Sequence, residues 1–420
     1  MCIRDSRTGL AALAACGLAS AAWAQDARFH YDGEMTIQPE AGTLSLDWTI
    51  TAFEDDLDSV TFVLNTALGI AEIGGPGVAS VDVEEMAGFD GALQAYTIHL
   101  IPSEGGADRA IEMAYAGPLF PDPPDMAINT LDAHKIELTV DSFWMPFDTR
   151  FESLITAELD IAIAGDWAGV TMQRIERTDD GFRIEQDQAA LDLAFTLMAD
   201  YSSVGADGYV IYDTRAARAE ADLTPLIEAL DFCTGFLNDW AGSGGPLPMA
   251  SITVNDRDEG GYSRGTLIAL TDISETSPES LTQFICHELS HYWSHGNAMT
   301  IENWLNESFA DQMANVGLRA RFGEGAYEAR LTRYRDQLDG RDLTPVWTPE
   351  ITERPSFFVM YRQGPLALDA LEKEIGEAAF ADFMHRYMAQ TVRTTPQMLD
   401  LLEDAAGPEA RDWFIARLAE

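Results

Sequence analysis

"FICHELSHYW" occupies residues 284–293, and the reading of the second half of the chain turns on it. His287 and His291 are four positions apart, the spacing that puts two side chains on one face of an α-helix. Ser277 is placed to cap that helix, with Pro278 at its first position, Glu279 in its first turn and Gly296 to close it. Leu281, Ile285, Leu289 and Tyr292 form an apolar stripe on another face. The histidines therefore stand apart from the core stripe. The chain has 7 histidines, and His287, His291 and His295 crowd into this one segment. The form is H-E-x-x-H, two imidazoles for a metal ion with Glu288 beside a water bound to it. The competing reading is a pair of polar histidines on a half-buried helix.

A zinc site of this kind needs a third protein ligand and an open position. A continuation H-x-x-G-x-x-H is excluded, because Ser294 and Asn297 stand where Gly and His would be needed. His295 is again four residues on from His291, but three successive ligands on one helix strain a tetrahedral site. "NWLNESFADQM" (303–313) offers Glu307, with Asp311 one turn further on the same face. Glu307 as ligand and Asp311 behind an imidazole N–H would divide the two roles that such sites require. An acidic pair on a helix is otherwise a solvated face. Here Trp304, Leu305, Phe309 and Met313 surround it, which favours the metal reading.

Composition narrows the classes. The chain has 420 residues, enough for two domains, and a formal net charge of −44. Lys135 and Lys373 are its only lysines. Such a surface repels phosphate backbones, so nucleic acid is not an expected partner. The acidity reads as a solvated, salt-adapted surface; no D-x-D-x-D-G loop suggests a calcium site.

Residues 8–26 read as an export signal: an apolar run after Arg4 and Arg7, then Ala22-Trp23-Ala24 before Gln25. The run is too short for a membrane span. Asp5 weakens the positive region, so the opening "MCIRDS" fits this pattern poorly. "LAAC" (13–16) offers the alternative of a lipid anchor on Cys16, but the apolar run continues past it. Cleavage near Ala24 and a periplasmic or extracellular location are the expectation. Cys233 and Cys286 then remain. Both lie in apolar helical patterns, which favours two buried thiols over the single disulfide an oxidising compartment would allow.

Residues 25–202 read as β-rich: "TLSLDWTI", "VTFVLN", "LQAYTIHLI", "RAIEMAYAG" and "LITAELDIAI" are short alternating or apolar runs, with turn signals such as "GGPG" (74–77) and "FPDPPD" (120–125) between others. A sandwich or folded-over sheet is expected. Residues 203–420 change character. Strands at 208–214, 249–255 and 265–271 accompany helical patterns at 223–242, 277–296, 300–323 and 364–376, which indicates an α+β domain with a helical C-terminal half.

"HELSHYW" followed by "WLNESFAD" resembles the gluzincin metallopeptidases, above all the branch of the alanyl aminopeptidases and leukotriene hydrolases. That branch carries H-E-L-x-H-x-W and then W-L-N-E-G-F-A. The spacer between His291 and Glu307 is shorter here, Ser308 replaces the usual Gly, and Asp311 resembles the E-x-x-x-D pattern of thermolysin. "MYRQGPLALDALEKEIGEAAF" (360–380) is similar to the branch's Y-x-K-G segment, whose Tyr stabilises a tetrahedral intermediate and maps onto Tyr361. The order of a β-rich domain and a thermolysin-like domain also matches, without the branch's C-terminal helical domain.

The resemblance implies a peptidase with one zinc per chain on His287, His291 and Glu307, Glu288 as general base and Tyr361 as oxyanion donor. It also implies a substrate strand. "GGYSRGTLIAL" (260–270) stands where the branch has G-x-M-E-N, whose Glu holds the substrate's α-ammonium. Gly261, Tyr262, Ser263 and Arg264 are thus the candidate substrate-binding residues, with Ser263 in place of the Glu. The expectation is a peptidase of peptide or protein substrates with weak or altered aminopeptidase activity, unless another acid, Glu259 or Glu302, grips the amine. Two readings compete: a binding module with a structural or vestigial zinc site, and a zinc hydrolase of a non-peptide substrate.

Overall fold

A computed structural model describes residues 27–420 except 55–56, 87–90, 103–108, 120–127, 151–152, 221, 243–244, 259, 275 and 299. The expected leader with Cys16 and the 120–125 turn lie outside the described residues. The chain divides into two compact units, one of residues up to 202 together with 257–260, the other of 203–256 and 261–420.

The first unit is built from strands whose side chains alternate. Along Phe29–Gln38, positions 29, 31, 33, 35 and 37 point inward; along Thr43–Ala52, positions 44, 46, 48, 50 and 52 do so. Their antiparallel register pairs Tyr31 with Ile50 and Met35 with Leu46, so both apolar sets share one face. A seven-stranded sheet follows the spatial order 174–177, 181–190, 155–162, 29–38, 43–52, 109–117, 69–74, and two four-stranded sheets complete the unit. Its core draws Trp48, Phe62, Trp144 and Phe195 from these sheets and their connections. Each such buried side chain contributes about 1.5–3 kcal/mol. Trp48 Nε1 donates to the Tyr115 hydroxyl at 2.8 Å, which donates to the Trp144 carbonyl at 3.0 Å.

The second unit has a five-stranded sheet in the order 202–206, 209–213, 250–254, 267–270, 262–264. Strand 262–264 is antiparallel to 267–270 and forms the edge. Helices Thr224–Ala241, Pro278–Ser290 and Asn303–Phe322 pack together, and Glu324–Leu338, Gly364–Ile375, Glu377–Met388, Thr395–Ala406 and Pro408–Leu418 complete the helical half.

Two expectations are corrected here. Cys233 and Cys286 are joined as a disulfide, with Cα atoms 5.1 Å apart. The apolar patterns that suggested free thiols are the facing stripes of two packed helices, and packing brings the sulfurs into register. Gly296 does not close the histidine helix, which ends at Ser290 and tightens into a 3₁₀ turn at His291–Trp293. Gly296 is needed for a different reason: a Cβ there would lie 2.1 Å from the Glu302 carbonyl oxygen.

Candidate active site

The histidine helix begins as its sequence dictates. Ser277 Oγ accepts the Ser280 N–H at 3.2 Å and Pro278 occupies the first turn. Leu281, Ile285 and Leu289 enter the core, each 1% exposed. This fixes the helix rotation and turns His287 and His291 toward the next helix, their rings 4.8 Å apart and perpendicular. That next helix, Asn303–Phe322, is buried nearly all round; Trp304, Leu305, Phe309 and Met313 are fully enclosed. Its rotation is set in turn, and Glu307 and Asp311 are driven against the histidines.

His287 Nε2 and His291 Nε2 lie 3.6 and 3.7 Å from the same oxygen, Glu307 Oε2. That buried oxygen accepts no hydrogen bond. Two imidazole nitrogens and an orphaned carboxylate oxygen, all within 4.8 Å of one another, fit a tetrahedral ion with bonds of roughly 2.0–2.2 Å. Asp311 Oδ1 lies 3.6 Å from His287 Nδ1, the nitrogen turned away from Glu307. Asp311 is itself held: Gln283 Nε2 donates to it at 2.7 Å, and so does the Tyr334 hydroxyl, which accepts from Arg330 Nε at 2.8 Å. Gln283 was legible in principle, because it stands four residues before His287 on the same helix. Tyr334 arrives from a helix with no motif to mark it.

The electrostatics follow from burial and these neighbours. Burial alone would lower the His287 pKa, but Asp311 and Glu307 outweigh it and raise it to about 10. Burial lowers His291 to about 4. Burial pushes Glu307 up, but the two imidazoles win and hold it at about 2. Glu288 is 8% exposed, and burial raises its pKa despite the opposing charge of His287. Burial, reinforced by Glu307, pushes the Tyr361 phenol well up, so it keeps its proton. Its ring lies 5.9 Å from that of His287 and stacks at 4.7 Å on the exposed ring of Phe357.

The substrate-strand candidates fall on the edge strand 262–264, with Gly261 just before it. Tyr262 is 7% exposed. Ser263 Oγ has no hydrogen-bond partner. The Arg264 guanidinium lies 5.2 Å from the centre of the Tyr262 ring and donates to the Ser263 carbonyl at 3.0 Å. It is near enough to Glu288 and His291 to lower the pKa of both. Glu302 is committed elsewhere, since its Oε2 accepts the Thr395 N–H at 2.7 Å and the Thr395 hydroxyl at 2.6 Å. Glu259 lies outside the described residues. His295 does not join the ligand group.

Two histidines and a glutamate on adjacent helices, with a buried carboxylate beside them, define a gluzincin-type zinc metallopeptidase centre. Residues 263–412 match the family model described as the peptidase family M1 domain, and every site residue from His287 to Tyr361 falls inside that match. Over those residues the chain is similar to the peptidase family M1 domain; it is a zinc metallopeptidase, and one zinc ion is its cofactor. The fold agrees. The M1 zinc metallopeptidase of Deinococcus radiodurans superposes with a TM-score of 0.64 at 17% identity, covering 94% of this chain and 93% of that one. A mutant of it bound to a Tyr-Ser-Ala substrate gives 0.64 at 19%, covering 94% of each chain. Yeast LTA4 hydrolase gives 0.69 at 17%, covering 93% of this chain and 66% of that one. The α+β order of a β-rich domain and a domain with a helical C-terminal half is thus the architecture of these peptidases.

Proposed function

We propose that this protein is an exported zinc peptidase that hydrolyses peptide bonds with Glu288 as general base, and that it does not depend on a free substrate amine. Bound zinc supplies a Lewis acid that lowers the pKa of water and polarises the scissile carbonyl. Glu288 takes the proton of the attacking water and passes it to the leaving amine. Its burial next to the ligands supports this, because a raised carboxyl pKa suits a group that must both accept and return a proton. Tyr361, protonated, donates to the oxygen on which negative charge develops.

One observation carries the specificity. The edge strand 262–264 brings Arg264 near Glu288 and His291, and neither it nor Ser263 is the carboxylate that the resembling family places there for the α-ammonium. A hydroxyl gives no charge-assisted contact to an ammonium, and a guanidinium this close to Glu288 repels one while pairing readily with a carboxylate. N-blocked, internal or acidic peptides are the favoured substrates. The test compares alanyl and leucyl reporters with free and blocked amines, and then the Ser263→Glu variant. The variant should gain on the free-amine reporters. Efficient cleavage of unblocked reporters by the wild type, abolished by blocking, would make it an ordinary aminopeptidase. Export is supported by the Cys233–Cys286 disulfide, which an oxidising compartment favours. N-terminal sequencing of the secreted form should begin near Gln25; a lipid-modified Cys16 would replace this with an anchored form.

A further inference from the structure

Tyr361 stands in an irregular turn. Over Val359–Gln363 the helix widens, and the Gly364 N–H donates to the Val359 carbonyl five residues back. The Met360 carbonyl thereby loses the donor that a regular α-helix would give it. In the widened pattern its donor would be residue 365, but that residue is Pro365 and has no N–H. A buried carbonyl left in this way needs a partner from outside the helix. Ser308 supplies it, its Oγ donating to the Met360 oxygen at 2.6 Å with the hydroxyl fully buried.

Ser308 directly follows Glu307. One hydroxyl thus ties the helix that bears a metal ligand to the turn that bears Tyr361. Gly364 makes room for it, since a Cβ there would lie 1.9 Å from Ser308 Oγ. The resembling family has Gly at the position of Ser308 and so lacks this hydroxyl. Widened turns of this type recur at functional sites because they re-aim one side chain without ending the helix.

We propose that Ser308 is a positioning residue for the hydrolytic reaction: by holding the Met360 carbonyl it fixes the turn and aims the Tyr361 phenol. The role rests on the reading of Tyr361 as oxyanion donor, and the experiment separates the two. Ser308→Ala and Ser308→Gly are each made alone and together with Tyr361→Phe, with kcat, KM and bound zinc measured for each. Either Ser308 change alone should lower kcat, by up to about a hundredfold if the phenol shifts by about 1 Å, with KM and zinc unchanged. In the Tyr361→Phe background the same change should cost nothing further. An equal loss in both backgrounds, or no loss in the wild type, would overturn the positioning role while leaving the peptidase intact. A wild type that cleaves no peptide would overturn the peptidase reading and this role with it. Ser308→Gly removes the same hydroxyl and imitates the resembling family, and the Tm of each variant separates a loss of fold from a loss of aim.

Discussion

His287 is where proton and metal compete most directly. Without metal its imidazole is raised to about 10 by the carboxylates of Asp311 and Glu307, which overcome its burial. An imidazole must be neutral to coordinate. Zinc uptake at pH 8 should therefore expel about one proton, seen in calorimetry as a heat that varies with the buffer's ionisation enthalpy; a buffer-independent heat would contradict it. The sign for stability follows from the same shift. The pKa is raised above its ordinary value of 6.5, so the metal-free protein has this stabilisation in full below pH 6.5. It loses the stabilisation as pH rises through about 10. The Tm of the metal-free form should fall across that window. Replacing His287, His291 or Glu307 by Ala should abolish zinc binding, whereas Glu288→Gln should keep one zinc and lose hydrolysis, as metal analysis and peptide assays would show.

At the scale of elements, the site depends on a layer that contacts no substrate. Asp311 keeps its place against His287 through Gln283 and the Tyr334 hydroxyl. Tyr334→Phe should leave the fold intact and weaken zinc binding by roughly tenfold, the usual cost of removing such support; competition with a chelating dye measures it. This layer also marks the limit of what sequence discloses. The pairs His287–His291 and Glu307–Asp311 were legible because each is a spacing of four on one helix; that the two pairs face one another was expected only from the motif and the family resemblance. The strands "TLSLDWTI" and "RAIEMAYAG" were legible because alternation is local. Tyr334, the Cys233–Cys286 bond and the Ser308–Met360 contact were not, since each depends on how separate helices rotate against one another. Gly296 was misread for a related reason: glycine marks helix ends and close backbone approaches alike.

At the scale of the whole chain, the charge of −44 dominates behaviour in solution. Self-repulsion among exposed carboxylates favours expansion and is relieved when salt screens it. The Tm should rise between low and molar NaCl, and a flat or falling response would count against a salt-adapted surface. The disulfide has a practical consequence of its own. Cys286 immediately precedes His287, so the covalent tie between helices ends one residue before the first ligand. A loop spanning a sequence separation of 53 contributes about 4 kcal/mol through chain entropy. The mature sequence from Gln25, prepared under reducing and under oxidising conditions, would therefore yield two preparations that differ in mass by only two hydrogens and yet differ in metal occupancy. A specific activity measured on one would not describe the other.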